Sequence, residues 1–138
     1  MHIKKVLEYE YNYAQYIVTD GKNEVICVCM SVPLPDGIEP EIGMAIKKIY
    51  AFGVEGIFLK KIAKEKDMKD SITKSLLGPL GYKIKGRIFD SKKSIIKVYN
   101  YTINLENDYP NGFEEDFKNG DYVEFSVDRL DCVIENYY

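Results

Sequence analysis

One hundred and thirty-eight residues with a formal net charge of −3 suit one domain with a single sizeable core, or two very small domains. Hydrophobic residues at 46% and charged residues at 30% argue against wholesale disorder. No apolar run reaches the length of a membrane span, and no charged start leads into an apolar signal core. The expectation is therefore a soluble, cytoplasmic protein with no membrane partner. Three cysteines at no metal-binding spacing point to reduced thiols rather than a disulfide framework. The single histidine, His2, sits beside the initiator methionine, which argues against most metal-dependent and histidine-based chemistry. No metal and no cofactor are expected.

Tyrosine and β-branched residues are abundant and favour pleated, half-buried surfaces. The first strand alternates: Leu7, Tyr9, Tyr11 and Tyr13 share one face, and Glu8, Glu10 and Asn12 the other. Those tyrosines are expected to fill the core. Asp20-Gly21 supplies a tight hairpin turn before a long strand from Glu24 to Leu34. A second sheet-like stretch spans Met44 to Lys61, broken by Gly53 and Gly56. Residues 62 to 78 carry Ile62, Met68, Ile72 and Leu76 at roughly helical spacing. Asp70 or Ser71 is a fitting N-cap, and Gly78-Pro79 a fitting stop. After this single predicted helix the strand pattern returns at Tyr82 to Asp90, Ser94 to Leu105 and Asp121 to Asp128. A polar, acidic loop fills residues 106 to 120.

The two halves share a weak repeat. Val18 and Asp20 precede a turn and then Val25, Ile26 and Val28; Ile88 and Asp90 precede a turn and then Ile95, Ile96 and Val98. A proline-bearing loop leads to Gly43 with Ile46 in one half, and to Gly120 with Val123 in the other. The repeating unit, with its Gly120-Asp121-Tyr122-Val123-Glu124-Phe125 strand opening, resembles half of a small Greek-key barrel of the oligonucleotide- and oligosaccharide-binding kind. The resemblance is one of fold, and fold alone does not carry function. The expected architecture is mainly β: an N-terminal β unit (1–61), a helix and turn (62–81) and a similar C-terminal β unit (82–138), together in one compact domain.

Charge is partitioned along the chain. From Leu59 to Val98 there are twelve basic and four acidic residues, a balance of +8; residues 1–58 carry −3 and residues 99–138 carry −8. A lysine-rich centre on an acidic protein is suited to a polyanion such as single-stranded nucleic acid. The expected contacts are Lys60, Lys61, Lys83, Lys85, Arg87, Lys92 and Lys93. Lysines on a strand and hairpin tip also guard a sheet edge without any ligand. The acidic loop (Glu106, Asp108, Glu114, Glu115, Asp116) matches no calcium-loop spacing. It offers an alternative, the docking of a basic protein partner by an inhibitor or immunity-type protein. Cys27 and Cys29 share a strand face without the ligands a zinc site needs, and read as buried thiols. No nucleophile–histidine–acid set and no phosphate-cradling loop is present, so the expectation is a non-catalytic binding module.

Overall fold

A computed structural model describes residues 1–10, 12–30, 39–63 and 69–134. The chain forms eleven strands: β1 (His2–Glu10), β2 (Tyr13–Thr19), β3 (Glu24–Cys29), β4 (Ile46–Phe52), β5 (Lys60–Lys61), β6 (Ser71–Lys74), β7 (Tyr82–Asp90), β8 (Ile95–Val98), β9 (Tyr101–Asn104), β10 (Tyr122–Val127) and β11 (Arg129–Ile134). They make one mixed sheet in the order β1-β2-β3-β11-β4-β9-β8-β7-β10-β5, with β6 also on β7. β11 runs parallel to β3, and β9 parallel to β4. The path does not close into a barrel.

Period-two alternation builds the core. Ile84, Gly86 and Ile88 of β7 point inward, as do Ile96 and Val98 of β8, Val123, Phe125 and Val127 of β10, and Leu130, Cys132 and Ile134 of β11. They share one cluster with Ile3, Tyr16, Val18 and Cys27 of the N-terminal half. Two tyrosines reach across it. The Tyr82 hydroxyl accepts from the Ile26 N–H at 2.8 Å. The Tyr101 hydroxyl donates to the Asn23 carbonyl at 2.5 Å, with the Val18 carbonyl at 3.2 Å. Burial, and then the nearby Asp20 carboxylate, push the Tyr101 hydroxyl pKa well up, so it stays a donor at any ordinary pH.

The structure corrects the expected architecture in three places. No helix occurs among the described residues, so none there is long and apolar enough to cross a membrane. Residues 64–68 of the expected helix lie outside the described residues. Ser71–Lys74 is strand β6, registered on β7 through Ser71↔Lys85 and Thr73↔Lys83. Leu76 and Leu77 are exposed rather than forming a buried stripe. Asp70 caps no helix; its carboxylate accepts the Tyr99 N–H at 2.8 Å. A waiting strand edge on β7 outweighed a marginal helical period, as tertiary context does for short segments.

The two expected barrel units are not separate either. β11 lies between β3 and β4, and β9 lies beside β4, so the halves interleave in one sheet. Locally, β10-β7-β8-β9 has the order of a Greek key. The repeat survives at one joint. The Gly43 N–H bonds the Ile3 carbonyl at 2.7 Å and the Ile3 N–H bonds the Met44 carbonyl at 2.9 Å; Gly120, Ile88 and Asp121 make the same pair at 2.8 and 2.9 Å. Both glycines have φ near +90° (92° and 90°), a conformation that costs glycine little. This joint equates β7 with β1, whereas the sequence comparison set it against β2.

The third correction concerns the tyrosines. β1 is irregular at Ile3/Lys5 and Val6/Glu8, and although Val6 still packs against the core, Leu7 and Tyr9 are exposed. Tyr11, the end of the expected long strand at residues 31–34 and the terminal Tyr137 and Tyr138 lie outside the described residues.

Gly86 marks where β7 exchanges one neighbour for another, β6 pairing before it and β8 after it on the same edge. A Cβ on Gly86 would sit 2.7 Å from the Lys97 carbonyl oxygen and 3.1 Å from Ile96 and Val98 side-chain carbons. Gly86→Ala is expected to destabilise the fold by about 1–3 kcal/mol through overpacking against backbone. Tyr101→Phe is expected to cost about 1 kcal/mol, the worth of one buried hydroxyl bond. Urea unfolding of both variants checks these values; a midpoint unchanged in Gly86→Ala contradicts the close approach of β8.

Candidate polyanion interface

The outward residues of β7 follow from its inward ones. With Ile84, Gly86 and Ile88 in the core, Lys83, Lys85 and Arg87 face outward. The register of the neighbours extends them into rows across the sheet. One row reads Lys60, Glu124, Lys85, Ser71 across β5, β10, β7 and β6. The next reads Tyr122, Arg87, Lys97, Thr102 across β10, β7, β8 and β9. A third reads Ser126, Lys83, Thr73. Among the described residues, five cations thus share a face with one acid, Glu124.

Of the seven basic residues expected from the sequence, Lys60, Lys83, Lys85 and Arg87 meet on this face. Lys61 does not, because its register partner is the inward-facing Val123. Its ammonium instead pairs with Asp121 at 3.2 Å, reaches the Asp116 carbonyl at 2.5 Å, and lies 5.9 Å from the centre of the Phe117 ring. Lys92 and Lys93 sit at the β7–β8 turn, where their N–H groups both bond the Asp90 carboxylate at 3.1 Å. Lys97, not among the contacts expected from the sequence, joins them on this face. The signal for it was present, since Ile96 and Val98 alternate inward around it.

The acidic loop covers the turn, not the face. The Phe113 N–H bonds the Ser91 carbonyl at 2.8 Å, and the Asn119 side chain accepts the Ser91 N–H at 2.8 Å. Tyr109 anchors the loop: its hydroxyl donates to the Ile57 carbonyl at 2.8 Å, and burial pushes its pKa up. Phe113 and Phe117 pack against the core beside it. Glu106, Asp108, Glu114, Glu115 and Asp116 are all exposed. Among the described residues, none of their carboxylates makes an ion pair with Lys83, Arg87 or Lys92.

Glu124 is held by its surroundings. Lys83 donates to it at 2.7 Å and, with the charges of Lys85 and Lys60, lowers its pKa below the usual carboxylate value. Arg87 and Lys97 are different. They stand directly opposite each other, a like-charge pairing that destabilises a sheet, and neither has a carboxylate partner among the described residues. The nearest acids in sequence are occupied: Asp90 by its own turn, and Asp121 by the Lys118 N–H at 2.9 Å and by Lys61.

Cys27, Cys29 and Cys132 are buried thiols outside any disulfide that meet in the core, where β11 runs beside β3. A hydrogen bond with Cys27 is the largest influence raising the Cys132 thiol pKa well above normal, with burial adding to it. No group of three or more His, Cys, Asp or Glu residues suited to a metal ion occurs among the described residues. Comparison with protein-family models, curated proteins and solved structures finds no match to this chain.

The lowered pKa of Glu124 fixes the sign of a pH effect. Its contribution to stability is fully present above the unfolded carboxyl pKa of about 4.3 and is lost as pH falls through the lower folded value. Glu124→Gln is therefore expected to flatten the acid limb of the stability–pH curve while leaving stability near neutrality within about 1 kcal/mol. Urea midpoints measured from neutral to acid pH for wild type and variant test this, and identical acid limbs contradict it.

Proposed function

We propose that this protein is a non-catalytic binding module that takes a polyanion, single-stranded nucleic acid above all, on the outer face of β5, β10, β7 and β8. The observation that carries the proposal is the Arg87–Lys97 pair, without a carboxylate partner among the described residues, within a face where the described residues place five cations and one acid. Two cations placed opposite each other cost the free protein stability; an anion bridging them turns that repulsion into attraction. The acidic loop lies at the β7–β8 turn and leaves this face open, which favours the polyanion over self-neutralisation. Edge protection alone accounts poorly for Lys85 and Arg87, because β7 has partners on both sides. Hydroxyls of Ser71, Thr73, Thr102, Tyr122 and Ser126 stand among the cations and are suited to phosphate oxygens. Three buried thiols outside any disulfide suit a reducing compartment such as the cytoplasm.

Binding of this kind is dominated by counterion release. Affinity for a labelled single-stranded DNA is expected to fall steeply between about 50 and 200 mM salt, with a log–log slope of about −0.7 for each phosphate neutralised. Lys83→Ala with Arg87→Ala should weaken binding and make the slope shallower by about 0.7 for each contact removed. Lys92→Ala with Lys93→Ala, exposed at the β7–β8 turn beyond the face, should change neither. Absence of wild-type binding at low salt overturns the proposal. It would favour docking of a basic protein on the exposed carboxylates of Glu106, Asp108, Glu114, Glu115 and Asp116.

A further inference from the structure

The interface ends in a cleft of about 280 Å³ lined by Arg87, Ile88, Phe89, Lys97, Asn119 and Gly120. Its aromatic wall follows from the alternation of β7, which puts Phe89 on the same outward side as Lys85 and Arg87. The register passes from Ile88↔Ile96 to Asp90↔Ile95, so Phe89 has no partner on β8. Ile88 stays in the core, and Phe89 faces out, 55% exposed, at the irregularity in the β7–β8 register. An exposed phenylalanine on a strand gives up the apolar burial available on the other face. The Lys97 ammonium lies 5.7 Å from the centre of its ring, and Arg87 stands across from Lys97 on the neighbouring strand.

We propose that Phe89 is a base-stacking platform and that Arg87 and Lys97 take the phosphates on either side of the stacked base, which makes the ligand of this face a single-stranded nucleic acid. The inference rests on the polyanion reading and narrows it. Charge alone accepts any polyanion; a flat apolar ring beside a pair of cations that have no carboxylate partner among the described residues selects one whose backbone carries aromatic groups. Asn119 adds an edge contact. Its carboxamide oxygen is engaged by the Ser91 N–H, which leaves its NH₂ group at the cleft to donate to a base. A duplex keeps its bases stacked on one another and offers none to Phe89. At the opposite end of the interface Phe58, 76% exposed, lines a second cleft together with Lys60 and Glu124. From Lys60 on β5 to Lys97 on β8 is three strand spacings, about 14 Å. The cations thus form a track with an exposed ring at each end.

The test compares oligo(dT) with an abasic deoxyribose-phosphate oligomer of equal length, by fluorescence anisotropy at low salt. Phe89→Ala is expected to weaken oligo(dT) binding by about 5- to 150-fold, the range for loss of one stacked base. It should leave the abasic oligomer's affinity and both salt slopes unchanged. Phe89→Tyr, which keeps the ring, should bind oligo(dT) like wild type. Arg87→Ala with Lys97→Ala should weaken both ligands. Because Phe89 is exposed, its truncation opens no cavity in the core, and an unchanged urea midpoint checks this. If Phe89→Ala leaves oligo(dT) affinity intact, or weakens both oligomers equally, the stacking platform is overturned and the polyanion reading stands. If wild type binds neither oligomer, both fall together.

Discussion

Everything on the candidate interface depends on which way β7 faces. Its nine residues alternate between core and solvent, and the inward set of Tyr82, Ile84, Gly86 and Ile88 is what commits Lys83, Lys85 and Arg87 to the outside. A slip of one residue would exchange the two sets, so the register is as well specified as the core is apolar. Three devices hold it. The Tyr82 hydroxyl docks on β3, Gly86 admits the β8 backbone at close range, and the Ile88 N–H and carbonyl are clamped by Asp121 and Gly120. The Gly86 approach and the Gly120 clamp both fall beside the Arg87–Lys97 pair. The two cations that repel each other are thus carried on the most firmly fixed stretch of the strand.

How a sheet of eleven strands buries one face also explains the interleaving. A single open sheet cannot exclude water from its apolar side, so it must meet another layer. Here apolar residues of both halves share one core, and the tyrosine hydroxyls of β7 and β9 find their partners on β3, β2 and the turn between β2 and β3. β11 completes the arrangement: it continues from β10 after Asp128, crosses to the other half, and pairs with β3 on one side and β4 on the other. Its neighbours are fixed by side chains as well as by the ladder. The Asp128 N–H bonds the Phe52 carbonyl, its carboxylate accepts the Val54 N–H, and Arg129 lies over the Phe52 ring at 4.1 Å. The β11 crossing and the β4–β9 pairing together tie the two halves, which is why they are not independent units.

Much of this was legible in the sequence, and the unread part has physical causes. The strands β2, β3, β7 and β10 follow from polarity alternation, and the Asp20 and Asp90 turns from the preference of aspartate for bonding backbone N–H groups two and three residues on. Strand partnership was not legible. Parallel neighbours such as β3 and β11 lie about a hundred residues apart, and no local pattern announces which edges will meet. β11 itself alternates as clearly as β10 does through Leu130, Cys132 and Ile134, yet went unassigned beside an apparent chain end. β6 was misread because Ile72 and Leu76 fit a helical spacing as well as a strand's, and only the β7 edge decides between them.

For the interface the same division holds. Sequence placed Lys83, Lys85 and Arg87 on one side of one strand, because two-residue spacing needs no knowledge of the fold. It could not separate Lys60 from Lys61. These adjacent lysines diverge, one joining Glu124 and Lys85 in a row, the other joining Asp121 and Phe117 beside the acidic loop. Nor could a net charge of −3 disclose an open positive face. Among the described residues, the acids of the C-terminal segment are engaged in turns, on Lys61, on Arg129 or in an exposed loop at the β7–β8 turn, and Glu124 alone of them reaches the face itself. Local potential is set by which charges share a surface rather than by their sum, and at contact distance the screening length of about 8 Å at physiological salt leaves remote acids little influence on a bound phosphate.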